Sequence, residues 1–229
     1  MENHLRRAAY LNSNGCSMLA VGDNAKAFKT LKEALQNVLQ AVMLYEDNPV
    51  ASAAERPDDD IVSRPVPRSR MDGASMKPSP EENDRAYIYS KGLVFYLTSN
   101  VTLLELAFYA SVIVFNLVLA LQRRRKPLQE RDLNKLLALY DLCLKLIHEG
   151  SKAKQYDSCN LIVATLNNKA VVHAELRDFT KARRVLYHVW DVMKYPSRRP
   201  GLLEPWEIEG IFLNIYQLLV NSPKTASAA

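Results

Sequence analysis

The residues of this chain best suited to chemistry are four histidines and three cysteines. His4, His148, His173 and His188 show neither HxxxH nor HExxH spacing, the arrangements that put two imidazoles on one helix face. His173 and His188 fall on two helices expected to pair, which places them to touch. No third ligand accompanies them, so a packed core or rim histidine is the simpler reading. Cys16, Cys143 and Cys159 are far apart, odd in number and form no CxxC. That argues against a zinc ribbon built from cysteines and against a disulfide framework, and it fits a reducing compartment. As nucleophiles they lack a visible activating partner, so small packed apolar groups are expected. No GxGxxG, GxxxxGK[ST] or GxSxG occurs, so neither a phosphate-cradling loop nor a nucleophile elbow is indicated. The expectation is a protein that is not an enzyme, with no catalytic residue, no cofactor and no metal.

Binding is the remaining class of chemistry. The net charge of +5 is mildly basic. Its excess sits at Arg123–Lys126 and in the region from Arg183 and Arg184 to Arg198 and Arg199. Such clusters can meet phosphates or acidic lipids, but they are more commonly solvated helix and loop faces. RNA-binding helical repeats also need interleaved aromatics and repeated base-reading positions, which are not evident here.

The elements that would position a binding site are helices. In 229 residues there are 7 glycines, with Leu, Ala, Lys and Glu common, a composition that favours helix over a β-sandwich. The N-terminal stretch MENHLRRAAYLNSNGC has no apolar core of the secretory-signal type. One helix is expected from about Arg6 to Val21, broken by Gly22-Asp23, with Asp23 or Asn24 capping the next. That next helix carries Ala27, Leu31, Ala34, Leu35, Val38 and Val42 at helical spacing, and the two make an αα-hairpin. From Asp47 to Asp84 six prolines and the run Asp58-Asp59-Asp60 leave little to bury, so a disordered insertion is expected. AYIYSKGLVFYL, from Ala86 to Leu97, is rich in aromatic and β-branched residues around Ser90-Lys91-Gly92 and reads as a short β-hairpin.

The longest apolar run, Val101 to Leu121, passes the length test for a membrane span, and a basic flank follows it. Glu105 and Asn116 inside it argue for a buried helix instead. Glu105 is expected near the helix start, close to solvent or a cation, where the helix dipole favours it. An amphipathic helix follows from Asp132 to Glu149, striped by Leu133, Leu136, Leu137, Tyr140, Leu144 and Ile147, with Gly150 as its stop. Helices are expected next from about Cys159 to Leu176 and from about Thr180 to Lys194. A last one starts at Glu204-Pro205. Trp206, Ile208, Ile211, Phe212, Ile215, Leu218 and Leu219 are read as its inner face, with Glu207, Asn214 and Gln217 facing away.

Small residues, with larger ones filling around them, recur at fixed offsets in these pairs: Gly15, Ala27, Leu31 and Ala34 in the first, Ala170, Ala182, Leu186 and Val189 in the third. Small residues where helices cross closely are what a two-helix repeat needs. With Met18 and His173 at the next positions, and Val118, Leu121, Leu136, Tyr140 and Cys143 in the middle pair, the chain resembles a degenerate tetratricopeptide-repeat (TPR) array. The repeat's Trp and its late Pro are absent, with Leu11, Val114 and Leu166 at the Trp position. The linking style, with VIVFNLVLAL followed by the leucine-rich LNKLLALYDLCLKLI, also looks similar to a group of diatom repeat proteins, a resemblance that implies no function. The tetratricopeptide resemblance implies an all-α fold: TPR-like antiparallel helix pairs in a right-handed array with a C-terminal capping helix, plus the β-hairpin between pairs one and two. The divisions are 1–46 for the first pair, 47–85 for the insertion, 86–97 for the hairpin, 98–150 and 151–196 for the second and third pairs, and 197–229 for the capping helix and tail.

By the repeat's offsets, the first helix of each pair lines a partner groove: Asn12, Cys16 and Leu19; Phe115, Leu119 and Gln122; Asn167, Val171 and Glu175. Asn12, Asn116 and Asn168 add amides, but the cations with which some tetratricopeptide domains grip a C-terminal carboxylate have no counterpart. An apolar groove fringed by amides suits a helix or an extended peptide. The competing reading has Phe115 and Leu119 simply buried, with the hairpin as one candidate cover. The expected function is a protein–protein interaction scaffold or adaptor with a protein or peptide partner, in the cytoplasm or nucleus. The alternatives are a nucleic-acid-binding helical repeat and a membrane-anchored adaptor through 101–121.

Overall fold

A computed structural model describes residues 1–47, 88–95, 97, 101–123, 128–151, 158–194 and 205–220. The described residues are mostly helical: α1 (Glu2–Ala20), α2 (Asn24–Glu46), α3 (Leu103–Gln122), α4 (Glu130–Ser151), α5 (Cys159–Glu175), α6 (Phe179–Met193) and α7 (Pro205–Ile215), which continues as a π-helical turn over Tyr216–Val220. The all-α class therefore holds. The insertion expected over 47–85 lies almost wholly outside the described residues, as do the basic residues from Arg124 to Lys126 and Arg198 and Arg199.

Chain contacts divide the protein into two compact units. The first comprises residues 1–74, 91–125 and 141–158, the second residues 75–90, 126–140 and 159–229.

In the first unit α1 and α2 form the expected hairpin. Gly22 takes φ +78, a left-handed conformation that glycine adopts without steric cost. The Asp23 N–H reaches back to the Met18 carbonyl at 2.9 Å and the Gly22 N–H to that of Leu19 at 3.1 Å, which satisfies the last carbonyls of α1. Asp23 then caps α2 by accepting from the Lys26 N–H at 3.3 Å. The helices cross closely, since a Cβ at Gly15 would lie 2.6 Å from the Leu31 side chain. Ala27, Leu31, Ala34, Val38, Ala41 and Tyr45 form the buried stripe of α2.

Helix α3 packs against α2 and α1. Asn116 pairs with Asn12, and Arg123 with the Leu19 carbonyl; both pairs are 104 residues apart in sequence. A constant offset means that α1 and α3 run parallel and in register. Every residue from Phe108 to Ala120 is buried. Among the described residues α3 alone is long and apolar enough to cross a membrane, and 83% of that stretch is buried inside the protein.

Thr102 and Glu105 start α3 with a reciprocal capping box: the Thr102 N–H donates to Glu105 Oε2 at 2.6 Å and the Glu105 N–H to Thr102 Oγ1 at 3.2 Å. Glu105 thus sits at the helix start as expected, but it is buried, with 5% exposure, rather than near solvent. The C-terminal half of α4 runs antiparallel along α3, with Cys143 Sγ 3.3 Å from the Ser111 carbonyl. Gly150 does not stop this helix, which continues through Ser151. It provides close approach instead: a Cβ there would stand 3.0 Å from the Phe108 backbone nitrogen.

In the second unit α5 and α6 fold back on each other through a turn with the same hydrogen bonds as the first. The Asp178 N–H reaches the His173 carbonyl at 2.8 Å and the Arg177 N–H that of Ala174 at 2.9 Å. Asp178 caps α6 through the Lys181 N–H at 3.1 Å. Arg177, at φ 58, occupies the left-handed position that Gly22 holds in the other turn. Helix α7 runs antiparallel to α6, with Trp190 edge-on to Phe212 at 5.9 Å and Arg183 Nε on the Leu218 carbonyl at 3.1 Å. The expected inner face of α7 needs correction. Glu207 and Asn214 are fully buried with Ile211 and Ile215, whereas Phe212 is 39% exposed. Asn214 points inward because Asn167 on α5 accepts its amide at 2.8 Å.

The β-hairpin is not formed by the described residues. Residues 88–95 are non-helical, with an isolated bridge at Val94 and no strand. A hairpin turning at Ser90-Lys91-Gly92 would pair Tyr89 with the chain beyond the turn. The N–H and C=O of Tyr89 and of Leu93 instead go to asparagine side chains on helices.

Candidate functional site

Each unit holds a piece of extended chain by its backbone, through asparagines on helices.

In the first unit the residue held is Leu93. Asn116 Oδ1 accepts from the Leu93 N–H at 2.8 Å, and Asn116 Nδ2 donates to the Leu93 carbonyl at 2.6 Å. A carboxamide presents a donor and an acceptor side by side, so one side chain satisfies both backbone groups of one residue, as a neighbouring strand would. Asn12 Nδ2 donates to the same carbonyl at 2.9 Å, and Cys16 Sγ lies 3.4 Å from it. Asn116 Nδ2 also donates to Asn12 Oδ1 at 2.8 Å and lies 3.3 Å from Cys16 Sγ. Asn12, Cys16 and Asn116 are all buried, at 1%, 2% and 0% exposure. Burial pushes the Cys16 thiol up to about 12, so at neutral pH it is a protonated donor and not a nucleophile.

Two further contacts seat this segment. A Cβ at Gly92 would lie 2.7 Å from Cys16 Sγ, 2.9 Å from its Cβ and 3.1 Å from its Cα, so the backbone at residue 92 lies directly on α1. Two residues beyond Leu93, the Phe95 ring stacks on Tyr109 of α3 at 4.5 Å with an interplanar angle of 17°.

In the second unit the residue held is Tyr89. Asn168 Oδ1 accepts from the Tyr89 N–H at 2.7 Å and Asn168 Nδ2 donates to its carbonyl at 2.9 Å. Behind it, Asn167 Nδ2 donates to Asn168 Oδ1 at 3.2 Å, and Asn214 Nδ2 to Asn167 Oδ1. The amides form a relay that fixes which end of Asn168 faces the Tyr89 N–H. Asn160, two turns before Asn167 on the same face of α5, is 2% exposed and has no hydrogen-bond partner on either amide atom.

The nine groove residues expected from sequence divide as follows. Asn12 and Cys16 meet at the Leu93 clamp. Leu19, Phe115 and Leu119 are fully buried, Leu19 also offering its carbonyl to Arg123 Nη1 at 3.0 Å. Gln122 is buried at 7%. Asn167 supports the Tyr89 clamp, and Val171 is buried at 3%. Glu175 is exposed at the end of α5, with its carboxyl held above the usual carboxylate range by partial desolvation. Phe115 and Leu119 are therefore core residues, as the competing reading had it. The two direct clamping residues, Asn116 and Asn168, stand one position beyond Phe115 and Asn167. For Asn116 the signal in the sequence was a lone amide in an apolar helix, VIVFNLVLAL.

Of the basic-cluster residues that are described, Arg184 is exposed, while Arg123 and Arg183 make structural contacts. Arg123 and Arg183 both reach backbone carbonyls at helix C-termini, Leu19 and Leu218, where the helix dipole favours a cation. His173 is buried at 7% and His188 exposed. Among the described residues no three His, Cys, Asp or Glu side chains converge as a metal site would require. In comparisons with known proteins, no family model, curated protein or solved structure matches this chain.

Proposed function

We propose that this chain is a non-catalytic protein–protein interaction scaffold built from TPR-like helix pairs, acting in the cytoplasm or nucleus on a protein or peptide partner. The observation that carries this reading is the double hydrogen bond from the Asn116 amide to the N–H and C=O of Leu93. A helical surface that binds an extended chain by its backbone has the chemistry for peptide recognition. The matching turns at Gly22 and Arg177, each followed by a capping aspartate, support the repeat reading. The engagement of Arg123 and Arg183 with helix ends weighs against a phosphate-binding role for those two residues.

Affinity capture with the full chain as bait tests the proposal. A protein partner retained as ionic strength is raised supports it. Capture of RNA or DNA that falls steeply with salt would replace it with the nucleic-acid reading. Retention of the chain in membranes after alkaline extraction would replace it with the anchored one.

A further inference from the structure

We propose that the site formed by Asn12, Cys16 and Asn116 is a receptor for an extended peptide carrying Gly, then a large apolar residue, then an aromatic two positions later. Residues 91–95 are its built-in occupant, and an outside peptide of this kind enters by displacing them. The inference rests on the scaffold reading and names the partner's chemistry.

Three observations define the occupant. First, the grip is on main chain: three hydrogen bonds from two helices fall on the N–H and C=O of Leu93, so any extended chain can satisfy them. Second, the position before the gripped residue must be glycine. The atoms a Cβ would meet at Gly92 include the Cα of Cys16, and that backbone belongs to a packed helix. Third, the aromatic at position 95 is selected by its stack on Tyr109. The gripped position itself takes an apolar side chain, since Leu93 is 1% exposed. Gly-Leu-Val-Phe meets all of these requirements.

Two buried asparagines satisfy the N–H and C=O of Leu93, groups that an apolar surface would leave buried without partners. Buried amides of this kind specify what lies against them, which is the property a recognition site needs. A tethered segment occupies its site at an effective concentration on the order of millimolar. The intact chain should therefore bind an outside peptide weakly, in proportion to the small fraction of molecules in which the segment has left.

The test uses a fluorescently labelled synthetic peptide with the sequence of residues 88–97 and the full-length chain. Phe95→Ala removes the stack on Tyr109 and weakens the internal occupant while leaving every receptor group in place. Gly92→Ala weakens the occupant by collision with Cys16. Both variants should bind the peptide about tenfold or more tighter than the unmodified chain, because a larger fraction of sites is open. Adding Asn116→Leu to either should abolish binding. A peptide with Ala in place of Gly should bind neither, and one with Ala in place of Phe should fail to raise the melting temperature of the Phe95→Ala chain.

Equal peptide affinity for the unmodified chain and the two variants overturns the proposal. So does equal binding of the Ala-for-Gly peptide, or the appearance of a dimer that exchanges segments without binding peptide. If both variants fail to fold, a peptide with a photo-crosslinker at the Leu93 position is applied in excess to the unmodified chain. Crosslinks to α1 or α3 support the proposal, and their absence overturns it. Capture of a protein partner alongside failure of every peptide arm sinks this inference and leaves the scaffold reading standing. Peptide binding by the opened variants without any captured protein sustains the site and removes the scaffold.

Discussion

Replacing Asn116 by leucine tests the Leu93 clamp because the consequences differ from those of the same change at Asn12. Asn116 makes two bonds to Leu93 and one to Asn12. Asn116→Leu leaves the Leu93 N–H and Asn12 Oδ1 buried without partners, and each such group costs about 1–3 kcal/mol. The sum is about 2–6 kcal/mol, offset by about 1.5–3 kcal/mol from burying a leucine side chain. The expected net loss is therefore about 2 kcal/mol. In Asn12→Leu the Leu93 carbonyl keeps Asn116 Nδ2 at 2.6 Å, and Asn116 Nδ2 keeps that carbonyl. No group is orphaned. Two bonds worth about 0.5–1.5 kcal/mol each are lost, and the leucine again offsets them, so the net change is near zero. The assay is urea unfolding followed by far-ultraviolet circular dichroism, with the midpoint and slope compared across the unmodified chain, each single variant and the double variant. The reasoning fails if Asn12→Leu destabilises as much as Asn116→Leu, or if Asn116→Leu is neutral. Either result would mean that the amide geometry, not the count of orphaned groups, has been misjudged.

The remaining predictions use the same unfolding assay. Asn160→Leu should stabilise by about 1 kcal/mol, because this buried amide has no partner to lose and its polar group then no longer needs to be desolvated; destabilisation would show that the amide has a role. Arg177→Gly should stabilise by about 0.5–1 kcal/mol, since φ 58 strains a residue with a Cβ and suits glycine; an unchanged midpoint would refute the assignment of strain to that turn. Gly150→Ala should destabilise by about 1–3 kcal/mol through collision with the Phe108 backbone, although alanine is the better helix former; a gain in stability would show that α3 and α4 can separate at no cost. Acidification should weaken the fold through the caps. Hydrogen bonds from Lys26 and Lys181 hold the Asp23 and Asp178 carboxyls below their ordinary range, so their contribution is present above the unfolded-state value and lost as pH falls through the folded one. Glu175, raised by partial desolvation, acts in the opposite sense and loses its contribution as pH rises through its folded value. The joint variant Asp23→Asn, Asp178→Asn keeps the caps but cannot titrate, so its midpoint should fall less between about pH 6 and pH 3, a window that brackets ordinary carboxylates. An identical fall in both proteins would exclude the caps as the cause.

Local features of the chain were legible because local forces decide them. Gly22 and Asp23 end one helix and start the next through bonds within five residues. The small residues Gly15, Ala27 and Ala182 sit where helices pack, buried as their spacing predicts. The continuous apolarity of VIVFNLVLAL signalled a helix covered on all sides, and Phe108 to Ala120 are all buried. Glu105 was placed at a helix start by the helix dipole, a local effect; its capping partner there, Thr102, is three residues away.

Tertiary structure alone decided where the polar backbone groups of residues 88–95 go. Aromatic and β-branched residues favour any extended, half-covered environment, whatever supplies the hydrogen bonds. The segment thus read as a hairpin, although its partners are side chains 79 residues further on for Tyr89, and 23 further on and 81 before for Leu93. Gly92 had the same ambiguity: a glycine needed for a turn and one needed for contact with Cys16 are alike in sequence. Asn214 and Glu207 read as outward-facing for a related reason. A polar side chain can be buried when a partner awaits it, and Asn167, the partner of Asn214, lies 47 residues away on another helix. Apolar burial follows a periodic pattern that the sequence carries. A buried amide is specified by the single group it meets, and only folding brings that group within 3 Å.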